Sequence, residues 1–493
     1  MQEYPTLAAV DLGSNSFHLQ VARVEGEQLF YLDAHKEAVR LAAGLTEDKR
    51  LDAASQRRAL DCLARFGERL KGMPAGAVRA VGTSALRVAK NAAEFLEQAR
   101  AALGFEIEIV AGREEARLIY LGVAHSLPLS SEPRLVVDIG GGSTECIIGI
   151  GYEPQERESL RMGCVVFTQR YFPEGRIDKA ALRAAVTAGR VEAQAVAKWF
   201  KRGRWVTAVG SSGTARALAE LCQQAGLSDG SITADGLKWL REQVVRAGSI
   251  ERLDLPGLKP DRRPVIVGGL AIMSAVFEEL RIDTMQVAQG AMREGILWDL
   301  LGRVHDHDMR DVTVAQFMRR YHVDGRQARR VEQFALQLFE TFQPFCAAED
   351  GRFLSWAARL HEIGISIAHS GFHKHSAYIL ENADMPGFSR QDQLRLAALV
   401  RASRGGLAKL PMQPDATLWP LIVCLRLAVR LHQNRADLAL PDWRLDCKGG
   451  DCTLRLPGAW LAANPLSQAA LESELKDWRG LDASTRLAGL RPL

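Results

Sequence analysis

Two segments of the chain carry an aspartate at the same place in the same local pattern. Asp11 lies within residues 8–16 and Asp138 within residues 135–143, and in both an apolar run precedes the aspartate and a turn of small residues follows it. The backbone N–H groups of such a turn can converge on an oxyanion, while the carboxylate can hold Mg²⁺ against a phosphate. Together the two copies predict phosphate and metal chemistry, although one such turn alone is equally typical of an ordinary hairpin.

Hydroxyl groups and a further carboxylate accompany these turns. Glu145 follows Asp138 by seven residues and enters the next β-rich run, so a hairpin turn can bring both carboxylates toward one cation. Asp11, the counterpart of Asp138 in the first copy, would lie close to the metal or to the phosphate. The hydroxyl donors that the turns would add are Ser14, Ser16, Ser143 and Thr144.

Two adjacent glutamates offer a candidate base. Glu114 and Glu115 begin a stretch that is predicted to be helical as far as residue 123. Adjacent helical residues point roughly 100° apart, so we expect only one of the two to face a cleft. Because the helix dipole also favours acidic residues in a first turn, position alone does not assign either glutamate to catalysis.

Each aspartate-containing segment is predicted to be a β-hairpin, because a second β-rich run follows each turn, at residues 17–24 and 144–150. The copies are offset by 127 residues, which predicts a duplicated α/β domain with a cleft between its halves. Two glycine-rich junctions are predicted to connect a strand to a helix, at residues 210–214 and at 268–269 after a strand over 264–267. Such junctions commonly border the ligand cleft of α/β folds.

Length and composition indicate several domains in a water-soluble chain. The 493 residues exceed one ordinary core, and 47% apolar with 25% charged residues is typical of globular proteins. Residues 1–5 lack the basic start and apolar run of an export signal. The most apolar late stretch, residues 419–431, carries two arginines and is too short to cross a bilayer. We therefore predict a cytoplasmic protein without a transmembrane segment, either free or peripheral at the inner membrane.

The eight cysteines predict reduced thiols. They include no CxxC pair, and most lie in apolar runs, which is typical of core cysteines in a reducing compartment. Cys447 and Cys452 flank a turn, and we expect them to be neighbours across a hairpin without forming a disulfide.

After Arg303 the pattern becomes helical. Helices are predicted over residues 311–321, 325–342, 353–363 and 391–401, followed by a hairpin over 443–456 and a helix over 468–478. Residues 300–440 hold 18 Lys and Arg against 14 Asp and Glu, with 8 of the 11 histidines. This excess indicates an anionic partner or a solvated helix surface.

Eight segments resemble, in order, the exopolyphosphatase/guanosine-pentaphosphatase (Ppx/GppA) family of the acetate-and-sugar-kinase/heat-shock-70/actin superfamily. They are AAVDLGSNSFHL (8–19), VGTSALRVAKNA (81–92), GREEARLIYLGVAH (112–125), LVVDIGGGSTE (135–145), RMGCV (161–165), GSSGT (210–214), QGAMREGIL (289–297) and HSGFHKHSAYILENADMPGF (369–388). The glycine turns occur throughout the superfamily, whereas the EEARLI block and the histidine-rich block are typical of this family.

The resemblance implies two actin-like, ribonuclease H-like α/β domains at residues 1–125 and 126–302. An all-α HD-like domain at 303–440 and a small α+β domain at 441–493 would follow. An intact HD metal site needs Asp directly after its histidine, and this chain has Glu362 after His361. We therefore expect the histidines of this region to serve packing or substrate binding rather than a second metal.

The resemblance also implies roles for individual residues. The family's catalytic glutamate aligns with Glu115, which would accept a proton from the attacking water. Mg²⁺, or another divalent cation, is assigned to Asp138 and Glu145, with Asp11 as a companion. The residues expected to bind phosphate are Gly13, Ser14, Asn15, Ser16, Thr83, Ser84, Arg87, Gly140, Gly141, Gly142, Ser143, Thr144, Gly210, Ser211, Ser212, Gly213 and Arg262.

The activity that the resemblance implies is an exopolyphosphatase, which hydrolyses terminal phosphoanhydride bonds of inorganic polyphosphate and releases orthophosphate. The histidine-rich block and the triple glycine at 140–142 favour this branch. The alternative is a guanosine-5′-triphosphate,3′-diphosphate (pppGpp) 5′-phosphohydrolase. A kinase with a nucleotide pocket near Gly268 and a non-catalytic sensor of polyphosphate or alarmone are further alternatives. The expected partners are polyphosphate, guanosine penta- or tetraphosphate and a second copy of the chain, but not nucleic acid.

Overall fold

The computed structural model describes residues 4–304, 308–410, 414–436 and 440–493. Residues 1–3, on which the expected absence of an export signal partly rests, lie outside this range. The chain forms two compact units, Met1–Met309 and Arg310–Leu493. The finer division into four domains stays a prediction.

The first unit contains two mixed β-sheets. Its strands are β1 (Thr6–Leu12), β2 (Phe17–Glu25), β3 (Gln28–Glu37), β4 (Val78–Gly82), β5 (Ile107–Ile109), β6 (Arg134–Ile139), β7 (Thr144–Ile150), β8 (Glu153–Leu160), β9 (Thr207–Ser211), β10 (Ile232–Thr233) and β11 (Thr284–Val287). The first sheet has the order β3-β2-β1-β4-β5 and the second β10-β11-β9-β6-β7-β8. In each sheet, three successive strands form two antiparallel pairs. The first of the three also pairs in parallel with a later strand, β1 with β4 and β6 with β9. The predicted duplication is therefore present in the topology.

Helices cover both sheets. They are α1 (Ala53–Leu70), α2 (Ser84–Val88), α3 (Ala92–Leu103), α4 (Gly112–His125), α5 (Cys164–Tyr171), α6 (Lys179–Phe200), α7 (Ser212–Gln224), α8 (Ala234–Ala247), α9 (Ile266–Leu280) and α10 (Met292–Val304). The predicted hairpins, the helix over Glu115 and the strand-to-helix junction at 210–214 are all present.

Two glycines allow α4 and α10 to touch backbone to backbone. A Cβ atom on Gly122 would overlap the carbonyl oxygen of Ala291, and one on Gly295 would overlap that of Leu118. Any side chain at either position would push the helices apart. Since Leu118 lies against Gly295 and Gly122 lies against Ala291, the two helices pack antiparallel, with the start of α10 beside the second half of α4.

A buried ionic cluster joins the same two helices. Asp299 of α10 accepts hydrogen bonds from Arg117, from Arg79 at 2.5 Å and from Arg303 at 3.2 Å. Arg117 also binds Glu114 through two hydrogen bonds of 2.9 and 2.8 Å. These arginines hold the pKa of Asp299 well below its usual range, against the effect of burial. Because Glu114 is committed to this cluster, the neighbouring glutamate is the one directed elsewhere.

The predicted strand over 264–267 is wrong. Residues Arg263–Val265 form a 3-10 helix, and α9 begins at Ile266. Almost every residue of α9 is buried, so its sequence is apolar on all sides and lacks the periodicity that separates a helix from a buried strand. Gly268 and Gly269 lie inside this helix, where a Cβ on either would come within 2.5 Å of α5 or α7 atoms. They serve close helix packing, and the nucleotide turn expected there for a kinase is not formed.

The second unit is helical with a small sheet. Its helices are α11 (Met309–Arg320), α12 (Gly325–Phe339), α13 (Ala348–Leu360), α14 (Phe372–Asn382), α15 (Arg390–Ala402), α16 (Trp419–Leu431), α17 (Gly458–Ala463) and α18 (Pro465–Trp478), and its strands are β12 (Arg444–Lys448), β13 (Asp451–Leu456) and β14 (Arg486–Pro492). The predicted helices and hairpin are present. The parallel strand β14 was not predicted. Among the described residues, no helix has the length and apolar character needed to cross a membrane.

Local contacts in this unit bear on two further expectations. His361 Nδ1 lies 2.7 Å from the carbonyl oxygen of Ala358, and Glu362 forms an ion pair of 2.5 Å with Arg435, which agrees with a packing role. Cys447 and Cys452 are register partners in the β12–β13 hairpin and form a disulfide, with their Cα atoms 4.1 Å apart. The expectation of free thiols at this pair is wrong, because the two-glycine turn brings the cysteines directly opposite each other.

We predict that Asp299→Ala lowers the free energy of unfolding by about 3–5 kcal/mol, because it leaves Arg79 and Arg117 buried without their shared carboxylate. The measurement is urea denaturation followed by circular dichroism. Asp283→Ala is the matched control, since it breaks an exposed ion pair with Arg202 and should cost less than about 1 kcal/mol. Equal losses in both variants would contradict the structural role given to the cluster.

Candidate active site

A cleft with a cavity volume of about 120 Å³ lies where the two aspartate hairpins face each other. It combines residues of both halves of the duplicated fold. The predicted site residues that line it are Asp11, Gly13, Ser14, Asn15, Ser16, Thr83, Glu115, Asp138, Gly140, Gly141, Ser143, Ser212, Gly213 and Arg262.

The two hairpin turns approach so closely that only glycine fits between them. A Cβ on Gly141 would lie 3.0 Å from the backbone nitrogen of Asn15, and one on Gly142 would lie 2.8 Å from Ser84 Oγ. Ser14 Oγ accepts a hydrogen bond of 3.1 Å from the backbone N–H of Ala85, which fixes the first turn against α2. The triple glycine therefore has a packing reason that does not depend on the substrate.

Other predicted residues lie behind the cavity wall rather than in it. Ser211 Oγ donates to Asp138 Oδ2, and Thr144 Oγ1 donates to the carbonyl oxygen of Met162 at 2.6 Å. The predicted site residues in this group are Ser84, Arg87, Gly142, Thr144, Glu145, Gly210 and Ser211. They support the lining residues and do not themselves border the cavity.

Acidic side chains form the floor of the cleft. Asp138 and Glu145 are register partners on β6 and β7, so their side chains lie on the same face of the sheet, as the hairpin pattern predicted. Burial raises the pKa of Asp138 to about 6, and the nearby charge of Glu115 adds to this. Burial likewise raises the pKa of Glu145 well above its usual value, and burial raises that of Asp11 to about 8. Several carboxylates thus share one poorly hydrated space.

This donor set fits a hard divalent cation. Asp11 Oδ1 is buried without a hydrogen-bond partner, and Asp138 also lines the cavity. Glu145 lies just behind the cavity wall, where it accepts a hydrogen bond of 2.8 Å from Ser159 Oγ. Among the described residues, no group of three or more His, Cys, Asp or Glu side chains is arranged to hold a metal ion by itself. Mg²⁺ does not require one, because it is commonly held by one or two carboxylates together with waters and substrate phosphates.

Glu115 is oriented by an arginine. Arg87 Nη1 donates to Glu115 Oε2 at 2.6 Å and to the carbonyl oxygen of Val110 at 3.0 Å. Arg87, expected from the sequence to bind phosphate, therefore contacts the glutamate instead of lining the cavity. Of the glutamate pair, Glu115 lines the cavity and Glu114 belongs to the buried ionic cluster, as the helix geometry predicted.

The start of α7 forms a second wall. Ser212 adopts a left-handed backbone conformation with φ of 75°, which is unusual for a residue with a side chain, and its Oγ donates to the carbonyl oxygen of Ile139 at 3.0 Å. A Cβ on Gly213 would overlap the Arg262 guanidinium. Arg262 is thus packed directly over the first turn of the helix, where backbone N–H groups also favour an anion.

Three basic residues of the cavity lining were not predicted: His18, Arg216 and Arg293. His18 is the register partner of Asp11, just as Glu145 is the partner of Asp138, so the 127-residue offset of the repeat would have found it. Burial, with the charge of Arg293, lowers the pKa of His18 to about 3, which keeps the ring neutral. Burial and neighbouring arginines lower the pKa of Arg216.

Family models match almost the whole chain. Residues 20–304 match the model of the Ppx/GppA phosphatase family, and residues 309–475 match the model of Ppx/GppA phosphatase domain III.

Curated relatives match over nearly their full length. A guanosine-5′-triphosphate,3′-diphosphate pyrophosphatase of Pseudoalteromonas translucida is 39% identical over 95% of this chain and 95% of its own. The protein of the same name from Aeromonas hydrophila is 38% identical over 99% of both chains.

Solved structures match about three fifths of the chain. An exopolyphosphatase from Cytophaga hutchinsonii is 25% identical, with a TM-score of 0.54 over 60% of this chain and 98% of its own. The Aquifex aeolicus PPX-GPPA enzyme is 28% identical, with a TM-score of 0.50 over 59% of this chain and 98% of its own. These matches confirm the predicted fold class.

We predict that the metal-free protein loses thermal stability as pH rises from about 4 to about 8. Asp11 and Asp138 have raised pKa values of about 8 and about 6, so their stabilising contribution is present at low pH and is lost as the pH rises through those values. Differential scanning fluorimetry with and without Mg²⁺ checks this, and Mg²⁺ should oppose the loss. Asp11→Asn should weaken the pH dependence. A melting temperature independent of pH in the metal-free protein would contradict the assignment.

Proposed function

Because the chain belongs to the Ppx/GppA phosphatase family, whose members hydrolyse phosphoanhydrides, we propose that it removes the terminal 5′ phosphate of pppGpp. The observation that carries the choice of substrate is the name shared by the curated relatives, which match at 39% and 38% identity over at least 95% of the chain. These relatives favour the alternative stated from the sequence over the exopolyphosphatase interpretation.

Of the two sequence features that favoured polyphosphate, the triple glycine has packing reasons that are independent of the substrate. A Cβ on Gly141 would press on the turn around Asn15, one on Gly142 would press on Ser84 and Ser14, and one on Gly140 would press on the Ser143 carbonyl oxygen of its own turn. The histidine-rich block lies in the second unit, around α14. Because a structurally similar protein from Cytophaga hutchinsonii is named an exopolyphosphatase, polyphosphate is the competing substrate that an assay should include.

The proposed mechanism assigns one task to each part of the cleft. The N–H groups and hydroxyls of the turns around Ser14 and Ser143 bind the terminal phosphate. A divalent cation, which we propose to be Mg²⁺ at Asp11, Asp138 and Glu145, supplies charge neutralisation when bound. Glu115, oriented by Arg87, accepts a proton from the water that attacks the terminal phosphorus. The bond to the bridging oxygen then breaks, and orthophosphate separates from guanosine 3′,5′-bis-diphosphate.

We predict that phosphate release from pppGpp exceeds release from long-chain polyphosphate by at least about tenfold in kcat/KM, because the relatives with near-complete coverage are named for the nucleotide. Both assays should be run side by side with Mg²⁺ and then with chelator, which should abolish activity. Faster release from polyphosphate would restore the exopolyphosphatase interpretation. Release unchanged by chelator would contradict the metal assignment.

We predict that Glu115→Gln lowers kcat for pppGpp by about 10²–10⁴-fold with little change in KM, since the amide cannot accept the proton. Equilibrium binding of pppGpp should survive. Glu114→Gln is the matched control on the same turn of α4: it weakens the ionic cluster and should lower the melting temperature while kcat stays within about threefold. Full turnover by Glu115→Gln would show that another group is the base.

A further inference from the structure

Arg293 begins α10 and lies in the segment QGAMREGIL, and the mechanism above gives it no task. Its side chain lines the cavity and is 23% exposed, so a ligand in the cleft can reach it. It therefore has access to substrate from a rigid position.

The guanidinium is held in place before any substrate binds. Arg293 Nε donates a hydrogen bond of 2.7 Å to Glu294 Oε1, and Glu294 Oε2 accepts one of 2.8 Å from the backbone N–H of Ala291. Glu294 is buried, and α10 itself is locked to α4 through Gly295 and the Asp299 cluster. An arginine fixed in this way loses little entropy when it binds a phosphate.

The position of Arg293 directs it at the reacting phosphates. Its Nη1 lies 3.2 Å from His18 Nδ1, and His18 is the strand partner of Asp11. The neutral imidazole receives that N–H at Nδ1 and carries its own proton on Nε2. The guanidinium also lowers the pKa of Asp11, although burial outweighs this effect. The Arg293 guanidinium thus lies beside the acidic side chains that form the floor of the cleft, where the terminal phosphates would bind.

The other arginines near the cleft are placed differently. Arg87 is engaged with Glu115, and Arg262 is packed over Gly213. Arg216 reaches the carbonyl oxygen of Gln289 at 3.4 Å. Among the described residues, Arg293 Nη2 has no hydrogen-bond partner, which leaves it available to an incoming oxygen.

We propose that Arg293 is a catalytic residue that binds the phosphate next to the scissile bond, and that Glu294 is its positioning residue. The inference rests on the proposed function. As water bonds to the terminal phosphorus and gives its proton to Glu115, the bond to the bridging oxygen breaks and its electron pair passes to the neighbouring phosphate. Arg293 donates a hydrogen bond to that phosphate and neutralises the charge as it develops.

The test compares variants of the full-length protein with pppGpp and Mg²⁺. Arg293→Ala should lower kcat by about 10³-fold or more, as removal of an arginine from a phosphoryl-transfer site does, with a smaller change in KM. Added guanidinium ion, below denaturing concentration, should restore part of kcat. Arg190→Ala is the matched control, because Arg190 is exposed and pairs with Glu279 outside the cleft. Its activity should equal that of the wild type.

The positioning role has its own readout. Glu294→Gln should lower kcat about tenfold in the wild-type background but have no further effect in the Arg293→Ala background, since it acts through that side chain. Arg293→Lys keeps the charge and should retain more activity than the alanine variant, so it covers the case in which the latter folds poorly.

The outcomes separate the inference from the proposed function. Wild-type protein that releases phosphate from polyphosphate but not from pppGpp would overturn the nucleotide assignment, and the variants would then be compared on polyphosphate. Active wild type with Arg293→Ala and Arg293→Lys within about twofold of it would overturn the inference alone. Loss of activity without rescue by guanidinium, together with a lowered melting temperature, would also overturn it by showing a structural role.

Discussion

The burial of several carboxylates beside one another is the constraint on which the rest of the first unit depends. Burial raises the pKa values of Asp11, Asp138 and Glu145, and the nearby charge of Glu115 raises each of them further. Such an arrangement is unfavourable unless protons, a cation or fixed positive groups neutralise it. The sheet edges keep the carboxylates together because strand pairing fixes where each side chain points.

Positive charge is supplied to the cleft from two separate helices. Arg87 reaches Glu115 from α2, and Arg293 reaches His18 from α10. The glycine contacts between α4 and α10, together with the Asp299 cluster, prevent α4, which carries Glu115, and α10, which carries Arg293, from shifting independently. Because a close-packed interior is hardly compressible, it transmits such constraints between neighbouring elements. Side chains from opposite ends of a 300-residue segment are therefore held at one cleft.

The duplicated hairpin accounts for both the symmetry and the asymmetry of the cleft. At equivalent positions, the first copy carries Asp11 and His18 and the second carries Asp138 and Glu145. One side of the cleft thus pairs an acid with a neutral ring that contacts an arginine, and the other pairs two acids. This difference gives the two sides of the cleft unlike side chains, although five strands of each sheet follow the same order.

Local patterns in the sequence determined the hairpins, the repeat, the glycine turns and the fact that only one of Glu114 and Glu115 faces the cleft, because each depends on backbone preferences and helix geometry within a few residues. The choice of Glu115 came from the family resemblance. Tertiary structure alone decided that Arg87 contacts Glu115, that Arg293 enters the cleft beside His18, and that residues 264–267 join a helix. Arg293 lies 275 positions from His18 in the chain, and α9 is apolar on every side. Side-chain partners at such separations follow from packing, and a fully buried segment carries no periodic signal from which its conformation could be inferred.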